Sequence, residues 1–174
     1  MAKIVRHLHD VECHLFKTLN QHFDRKWLNF YFRTITHFGG AAITISSVLL
    51  LMFLITGNLK ATSYASAFAL ALSHIPVAIA KKIYPRKRPY LELAGTKVLE
   101  NPLQDHSFPS GHSTAVFSVI TPIILSYPAS ALVLLPIGCS VGLSRIYLGL
   151  HYPTDVLAGM VLGTSVGFLS FALF

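Results

Sequence analysis

Residues 108–127 read FPSGHSTAVFSVITPIILSY, and the character of this stretch decides the fold. It contains no Asp, Glu, Lys or Arg, while Val116, Phe117, Val119, Ile120, Ile123, Ile124 and Leu125 fill it with apolar surface. A helix that crosses a hydrocarbon core of about 30 Å needs roughly 20 such residues. Pro109, Ser110 and Gly111 stand in front of the run, where proline and small capping residues open a helix. Working outward, residues 40–57, 61–80, 129–147 and 153–174 have the same character, so that five candidate spans occupy most of the 174 residues. Little more than Tyr127 and Pro128 separates the third from the fourth, which requires a tight helical hairpin at a membrane surface. Hydrophobic residues make up 53% of the chain and charged ones 12%, far from a soluble average. The fold expected is all-α: an integral membrane helical bundle, multi-pass in the cell membrane, forming one domain over residues 1–174.

The first 26 residues differ. Ile4, Leu8, Val11, Leu15, Leu19 and Phe23 recur at helical spacing with Lys3, Arg6, Asp10, Lys17 and Asn20 between them, which predicts an amphipathic helix lying in the interface rather than a span or a cleaved leader. Residues 27–38 are aromatic and carry Arg33, as expected of a segment at headgroup level or of the lower part of the first span. Cys13 and Cys139 sit in unlike settings, so neither a disulfide nor a metal site is expected. The longest polar connection, residues 81–110, is where chemistry should lie, because long loops in compact domains are usually functional or disordered.

If these runs are spans, the second ends, the third begins, the fourth ends and the fifth begins on one side of the bilayer. Three clusters meet there. Ser110, Gly111 and His112 open the third span, where free N–H groups and the helix dipole make an anion site; the plainer reading is that Ser110 only caps the helix. His151 and Asp155 flank the start of the fifth span, with Arg145 just upstream. A carboxylate on one imidazole nitrogen fixes the tautomer and leaves the other nitrogen as nucleophile or base; the plainer reading is a helix cap beside an interfacial histidine. Lys81, Lys82, Arg86, Lys87 and Arg88 form a basic run, and Lys82, Arg86 and Lys87 are expected to hold anionic lipid headgroups.

Taken together, Lys81-x6-Arg88-Pro89, Pro109-Ser110-Gly111-His112 and Ser144-Arg145-x5-His151-x3-Asp155 resemble the three-part signature of the type 2 phosphatidic acid phosphatase superfamily, relatives of the vanadium haloperoxidases and bacterial acid phosphatases. The layout is similar to short bacterial members that act on undecaprenyl diphosphate or phosphatidylglycerophosphate. The resemblance implies a membrane lipid phosphatase in which His151 attacks phosphorus to form a phosphohistidine, Asp155 orients it, and His112 protonates the leaving oxygen and then activates water. Lys81, Arg88, Arg145, Ser110 and the Gly111 amide would hold the phosphate oxygens. No metal or other cofactor is required, because these cations already meet the phosphate charge.

Of the nine histidines, only His112 and His151 fit this signature. His74, inside a span, is expected to make an interhelical hydrogen bond; His7, His9, His14 and His22 are expected on a solvated or headgroup-facing helix surface; Asp105 and His106 lie near enough in sequence to Ser110 to touch a leaving group. Two other readings compete: a vanadate-dependent haloperoxidase, which the apolar spans oppose, and a non-catalytic lipid-phosphate binding or transport protein, which would not need the His151–Asp155 pair. The partners expected are the bilayer and a lipid phosphate. The net charge of +7 fits anionic headgroups, nucleic acid is a poor match for a chain this apolar, and no obligatory protein partner is evident. All the basic residues except Lys60 fall on the site's side if residues 1–39 do not cross, which favours a cytoplasmic site; similar bacterial enzymes work on the outer face, so the side stays open.

Overall fold

The structure, a computed structural model, describes residues 2–174, with the side chains of residues 2–6 and 58 outside the description. Lys3, Ile4 and Arg6 of the expected amphipathic pattern thus lie outside the described side chains. All regular structure among the described residues is helical: α1 (Ala2–Asn20), α2 (Lys26–Ile35), α3 (Ala41–Leu54), α4 (Lys60–Ile83), α5 (Pro89–Glu92), α6 (Gly111–Ser126), α7 (Ala131–Tyr147) and α8 (Pro153–Leu173), with 3-10 turns at Thr36–Gly39, Gly57–Leu59 and Pro128–Ser130. The hairpin between α6 and α7 is as tight as the sequence requires.

Three segments are long and apolar enough to cross a bilayer: α4, Pro128–Tyr147 and α8; Lys26–Gly39 and α3 qualify together as a fourth, bent by 53°. The five expected spans are all helical, as α3, α4, α6, α7 and α8, with α6 apolar but shorter than a full span. With 16 residues, α6 is about 24 Å long at 1.5 Å per residue. It is the central post of the bundle, packed by α3, α4, α7 and α8, and Ser113 through Pro122 are all buried. Being walled by protein, it has little lipid-facing surface to match to the bilayer. Its hydroxyls are satisfied locally: Thr114, Ser118 and Thr121 donate to the carbonyls of Ser110, Ala115 and Phe117 at 3.0, 2.8 and 2.7 Å.

The tightest contact is between α6 and α8. Gly159, Gly163 and Gly167 recur every fourth residue and lie against the α6 backbone; a Cβ on Gly159 would stand 2.6 Å from the Ser110 carbonyl oxygen and one on Gly167 2.7 Å from Thr121 Cβ. Small residues in this spacing let two backbones approach in lipid, where packing rather than water exclusion holds helices together.

The apolar stripe of α1 faces away from the bundle over its first turns, as suits an interfacial helix. Leu8, Val11 and Leu15 are exposed, whereas Glu12, Phe16 and Asn20 are buried against α7 and α8. The outward stripe is free to face lipid. The inward face is polar because it meets loop backbone: Asn20 donates to the carbonyls of Lys97 and Tyr147 at 2.8 and 2.9 Å and accepts from the Lys97 amide at 2.9 Å.

Candidate active site

The expected loop is shorter than residues 81–110, since α4 runs to Ile83 and carries Lys81 and Lys82 in its last turn. Beyond it the chain folds back on itself: the Ser107 amide donates to the Arg86 carbonyl at 2.9 Å and the Tyr90 hydroxyl to the Leu103 carbonyl at 2.9 Å. This returns Asp105 and Ser107 to the ends of α4 and α6.

A cavity of about 250 Å³ opens there, lined among others by Lys81, Arg88, Asp105, Gly111, His112 and His151. Five of the eight residues singled out in the sequence thus share one lining. Arg88 is only 1% exposed. Its Nε and Nη2 donate to the Asp105 carbonyl and carboxylate at 2.8 and 2.6 Å, and Nη1 donates to the Leu150 carbonyl at 2.8 Å and toward His151 Nε2 at 3.1 Å. Lys81 pairs with the other Asp105 oxygen and donates to the His106 carbonyl at 3.0 Å. Burial pushes the Asp105 carboxyl up, but hydrogen bonds and charge from Lys81 and Arg88 overcome that and hold it down at about 2.

His151 is fixed at both nitrogens. Nδ1 donates to the Ser107 carbonyl at 2.7 Å; a carbonyl can only accept, so the proton sits on Nδ1 and the Nε2 lone pair remains. Burial, joined by the charges of Arg145 and Arg88 and opposed by Asp155, pushes the imidazole down to about 4. The turn that presents it is closed by the Arg145 carbonyl, which accepts from the Leu150 and His151 amides at 3.1 and 3.2 Å. Gly149 makes that turn possible, with φ of 79° in the left-handed region.

The remaining three residues lie just outside the lining, each for a visible reason. Ser110 turns into the helix, its oxygen accepting from the Ser113 hydroxyl at 2.9 Å and amide at 3.4 Å, the capping geometry of the plainer reading. Asp155 is fully buried, with Oδ2 3.7 Å from His151 Nδ1. That is too long for a hydrogen bond, so the expected direct dyad is replaced by the Ser107 carbonyl on the ring and the Asp155 charge behind it. The carboxylate instead accepts from the Tyr152 amide at 2.8 Å and from Arg86 at 2.9 Å. Arg145 is 3% exposed and donates once, through Nη1 to Thr36 at 2.8 Å, while its Nε and Nη2 have no partner among the described residues. Buried guanidinium groups are seldom left so, and two parallel N–H groups match an oxyanion.

Several contributors had no sequence signal strong enough to find them. A backbone carbonyl such as that of Ser107 leaves none; Thr36 and Glu12 lie far upstream; Arg86, in a basic run, reads as a headgroup contact. His74 donates to the Leu70 carbonyl of its own helix at 2.7 Å, not to a neighbour as expected, and its ring lines both the cavity and an apolar groove beside it formed by Ile45, Val48, Leu49 and Leu70.

What the bundle and its polar end define is a helical membrane protein with a cavity that two imidazoles, Lys81 and Arg88 line together. The model of the PAP2 superfamily matches residues 62–174, and the chain belongs to that superfamily. It is 34% identical over 125 residues to an undecaprenyl-diphosphatase of Sulfolobus acidocaldarius, covering 71% of this chain and 59% of that one. With a decaprenylphosphoryl-5-phosphoribose phosphatase of Mycobacterium tuberculosis it shares 32% identity over 139 residues, covering 78% and 74%. The crystal structure of Aquifex aeolicus LpxE superposes with a TM-score of 0.78 at 26% identity, covering 91% of this chain and 93% of that one. The chain spans between half and two thirds of the length of the archaeal relative and of others like it. Family membership and the apolar helices together make this a multi-pass membrane protein.

Proposed function

We propose that the chain, acting as one membrane-embedded unit, is a lipid phosphatase that removes the terminal phosphate of a lipid phosphate or diphosphate through a phosphohistidine. The observation that carries this reading is the state of His151: Nδ1 is committed to the Ser107 carbonyl, and Nε2 offers its lone pair to a cavity shared with Lys81, Arg88 and His112. Binding alone does not call for a tautomer fixed in this way.

In the proposed sequence, His112 takes up a proton as the arriving phosphate anion offsets the charges of Arg88 and Arg145; Nε2 then forms a bond to phosphorus as the bond from phosphorus to the lipid oxygen breaks, and His112 gives its proton to that oxygen. Water then loses a proton to His112 and attacks phosphorus, the N–P bond breaks, and inorganic phosphate leaves. Lys81, Arg88, the unpaired N–H groups of Arg145 and the first amides of α6 would hold the non-bridging oxygens as charge shifts. Asp155 would stabilise the imidazolium character that develops on His151. Ser110 would act by fixing the start of α6. Arg88 now donates to Nε2, and an arriving phosphoryl group would take that donor, freeing the lone pair as substrate binds.

Two relatives, an undecaprenyl-diphosphatase and a decaprenylphosphoryl-5-phosphoribose phosphatase, support a polyprenyl-linked phosphate as substrate. The test is a panel in detergent of phosphatidate, phosphatidylglycerophosphate and undecaprenyl diphosphate, with chelator present. Wild type should release inorganic phosphate from at least one of them and His151→Ala, still folded, from none. Full activity in that variant would remove the nucleophile assignment, and lipid phosphate binding without turnover across the panel would favour a binding protein.

A further inference from the structure

Arg86 stands in a basic run and was expected to meet lipid headgroups, yet its guanidinium is directed into the protein. Nη1 donates to Asp155 Oδ1 at 2.9 Å and to the Thr154 hydroxyl at 2.8 Å, and Nη2 is ion-paired with Glu12 on α1. Its flat face lies 3.9 Å from the centre of the Tyr152 ring. Little of this fork remains for a headgroup.

Both partners are buried acids. Asp155 is 0% and Glu12 6% exposed, and a carboxylate taken out of water needs a cation or several donors to stay ionised. The two oxygens of Asp155 are divided between the Tyr152 amide and Arg86, which leaves the carboxylate one rotamer, the one that places Oδ2 3.7 Å from His151 Nδ1. Glu12 is held in turn: Oε2 accepts from Thr154 at 2.5 Å, and Oε1 meets His9 at 2.9 Å as well as Arg86. A polar chain therefore runs from α1 through Glu12 and Arg86 to Asp155, whose charge lies 3.7 Å behind the ring of His151.

We propose that Arg86 is a positioning residue for the reaction, clamped by Glu12, so that the N-terminal helix is a working part of the active site rather than only an interfacial anchor. The proposal rests on the phosphatase reading above. Arg86 acts through Asp155 and touches no substrate. Its loss should lower turnover while leaving the phosphate cradle of Lys81, Arg88 and Arg145 intact, the pattern of an interaction that matters in the transition state and not in the ground state.

The experiment uses the full chain in detergent and compares wild type, Arg86→Ala, Arg86→Lys, Glu12→Gln and, as a basic-surface control, Lys82→Ala. It reads kcat and KM on the best lipid of the panel, orthovanadate affinity by calorimetry, and thermal stability. Arg86→Ala should lose at least 30-fold in kcat with KM and vanadate affinity within threefold of wild type. Arg86→Lys should regain part of the loss, Glu12→Gln should lose 3- to 10-fold, and Lys82→Ala should match wild type. A KM increase at unchanged kcat would return Arg86 to the headgroup role and overturn the proposal, as would an equal loss in Lys82→Ala. Should Arg86→Ala not fold, Glu12→Gln, which keeps its volume, decides: unchanged kcat overturns the coupling to α1. A wild type that turns over no lipid phosphate would instead refute the phosphatase reading.

Discussion

Gly159→Ala would place a methyl group 2.6 Å from the Ser110 carbonyl oxygen and 3.1 Å from both Ser113 Cβ and Thr114 Oγ1. A carbon and a carbonyl oxygen settle at about 3.3 Å or more, so α6 and α8 must separate by roughly 0.7 Å at this level. Neither neighbour can yield as a flexible side chain would, because the nearest atom is backbone. Overpacking of this kind costs about 1–3 kcal/mol, a factor of roughly 5 to 150 in the folded ratio at about 1.4 kcal/mol per decade. The cost falls beside the site: the Ser110 amide donates to the Asp155 carbonyl at 3.0 Å, so the same shift draws His112 away from His151. Misplacement of reacting groups by about 1 Å costs on the order of 100-fold in rate, and a loss of roughly 10- to 100-fold is expected here. Thermal unfolding in detergent and kcat/KM on the best lipid substrate provide the assay. Wild-type melting and wild-type rate in Gly159→Ala would refute both the close approach and its link to the site.

Gly111→Ala is the steric opposite, since nothing lies within 4 Å of its Cβ position: the variant should melt like wild type but bind orthovanadate at least tenfold more weakly, and equal vanadate affinity would place the oxyanion elsewhere. Asp105 occupies both Lys81 and Arg88 and stays ionised down to about pH 2; Asp105→Asn should therefore tighten vanadate binding several-fold in calorimetry, and weaker binding would mean that the carboxylate orients these cations for the anion. His151, lowered to about 4 from an ordinary value of 6.5, takes up its proton in the folded state only near pH 4, so ¹⁵N spectra of labelled histidine should show this ring neutral from pH 5 to 8. Because the unfolded chain binds that proton at higher pH, stability from this group is present above pH 6.5 and declines as pH falls toward 4; a ring titrating near 6.5 in the folded protein would contradict its burial.

The parts of this molecule that follow from one-dimensional patterns were legible. Apolar runs placed α3, α4, α6, α7 and α8 within a few residues, and the hairpin topology alone brought Lys81, Arg88, Gly111, His112 and His151 to one end. What pairs with what was not. Ser107 acts through its carbonyl, which any residue type supplies. Arg86 reads as a headgroup contact because a charge in a basic run is usually solvated, Glu12 gives no signal of its own, and only the fold reveals that the two pair beside Asp155. Apolar periodicity identified α1 as an amphipathic helix but not which residues pack: Leu8, Val11 and Leu15 are exposed, while Glu12, Phe16 and Asn20 are buried against the bundle. The glycines at 159, 163 and 167 were readable as a four-residue repeat of small residues, a signal hidden beneath the apolar pattern of the same helix.

The most direct test of the two-imidazole site is to trap its intermediate. Wild type and His112→Ala, mixed with ³²P-labelled lipid phosphate and quenched in base within milliseconds, should carry acid-labile label that maps by peptide mass spectrometry to His151, with the slower hydrolysis in His112→Ala prolonging its lifetime. Label on another residue, or ¹⁸O from water entering phosphate with no labelled enzyme at any time point, would contradict the account.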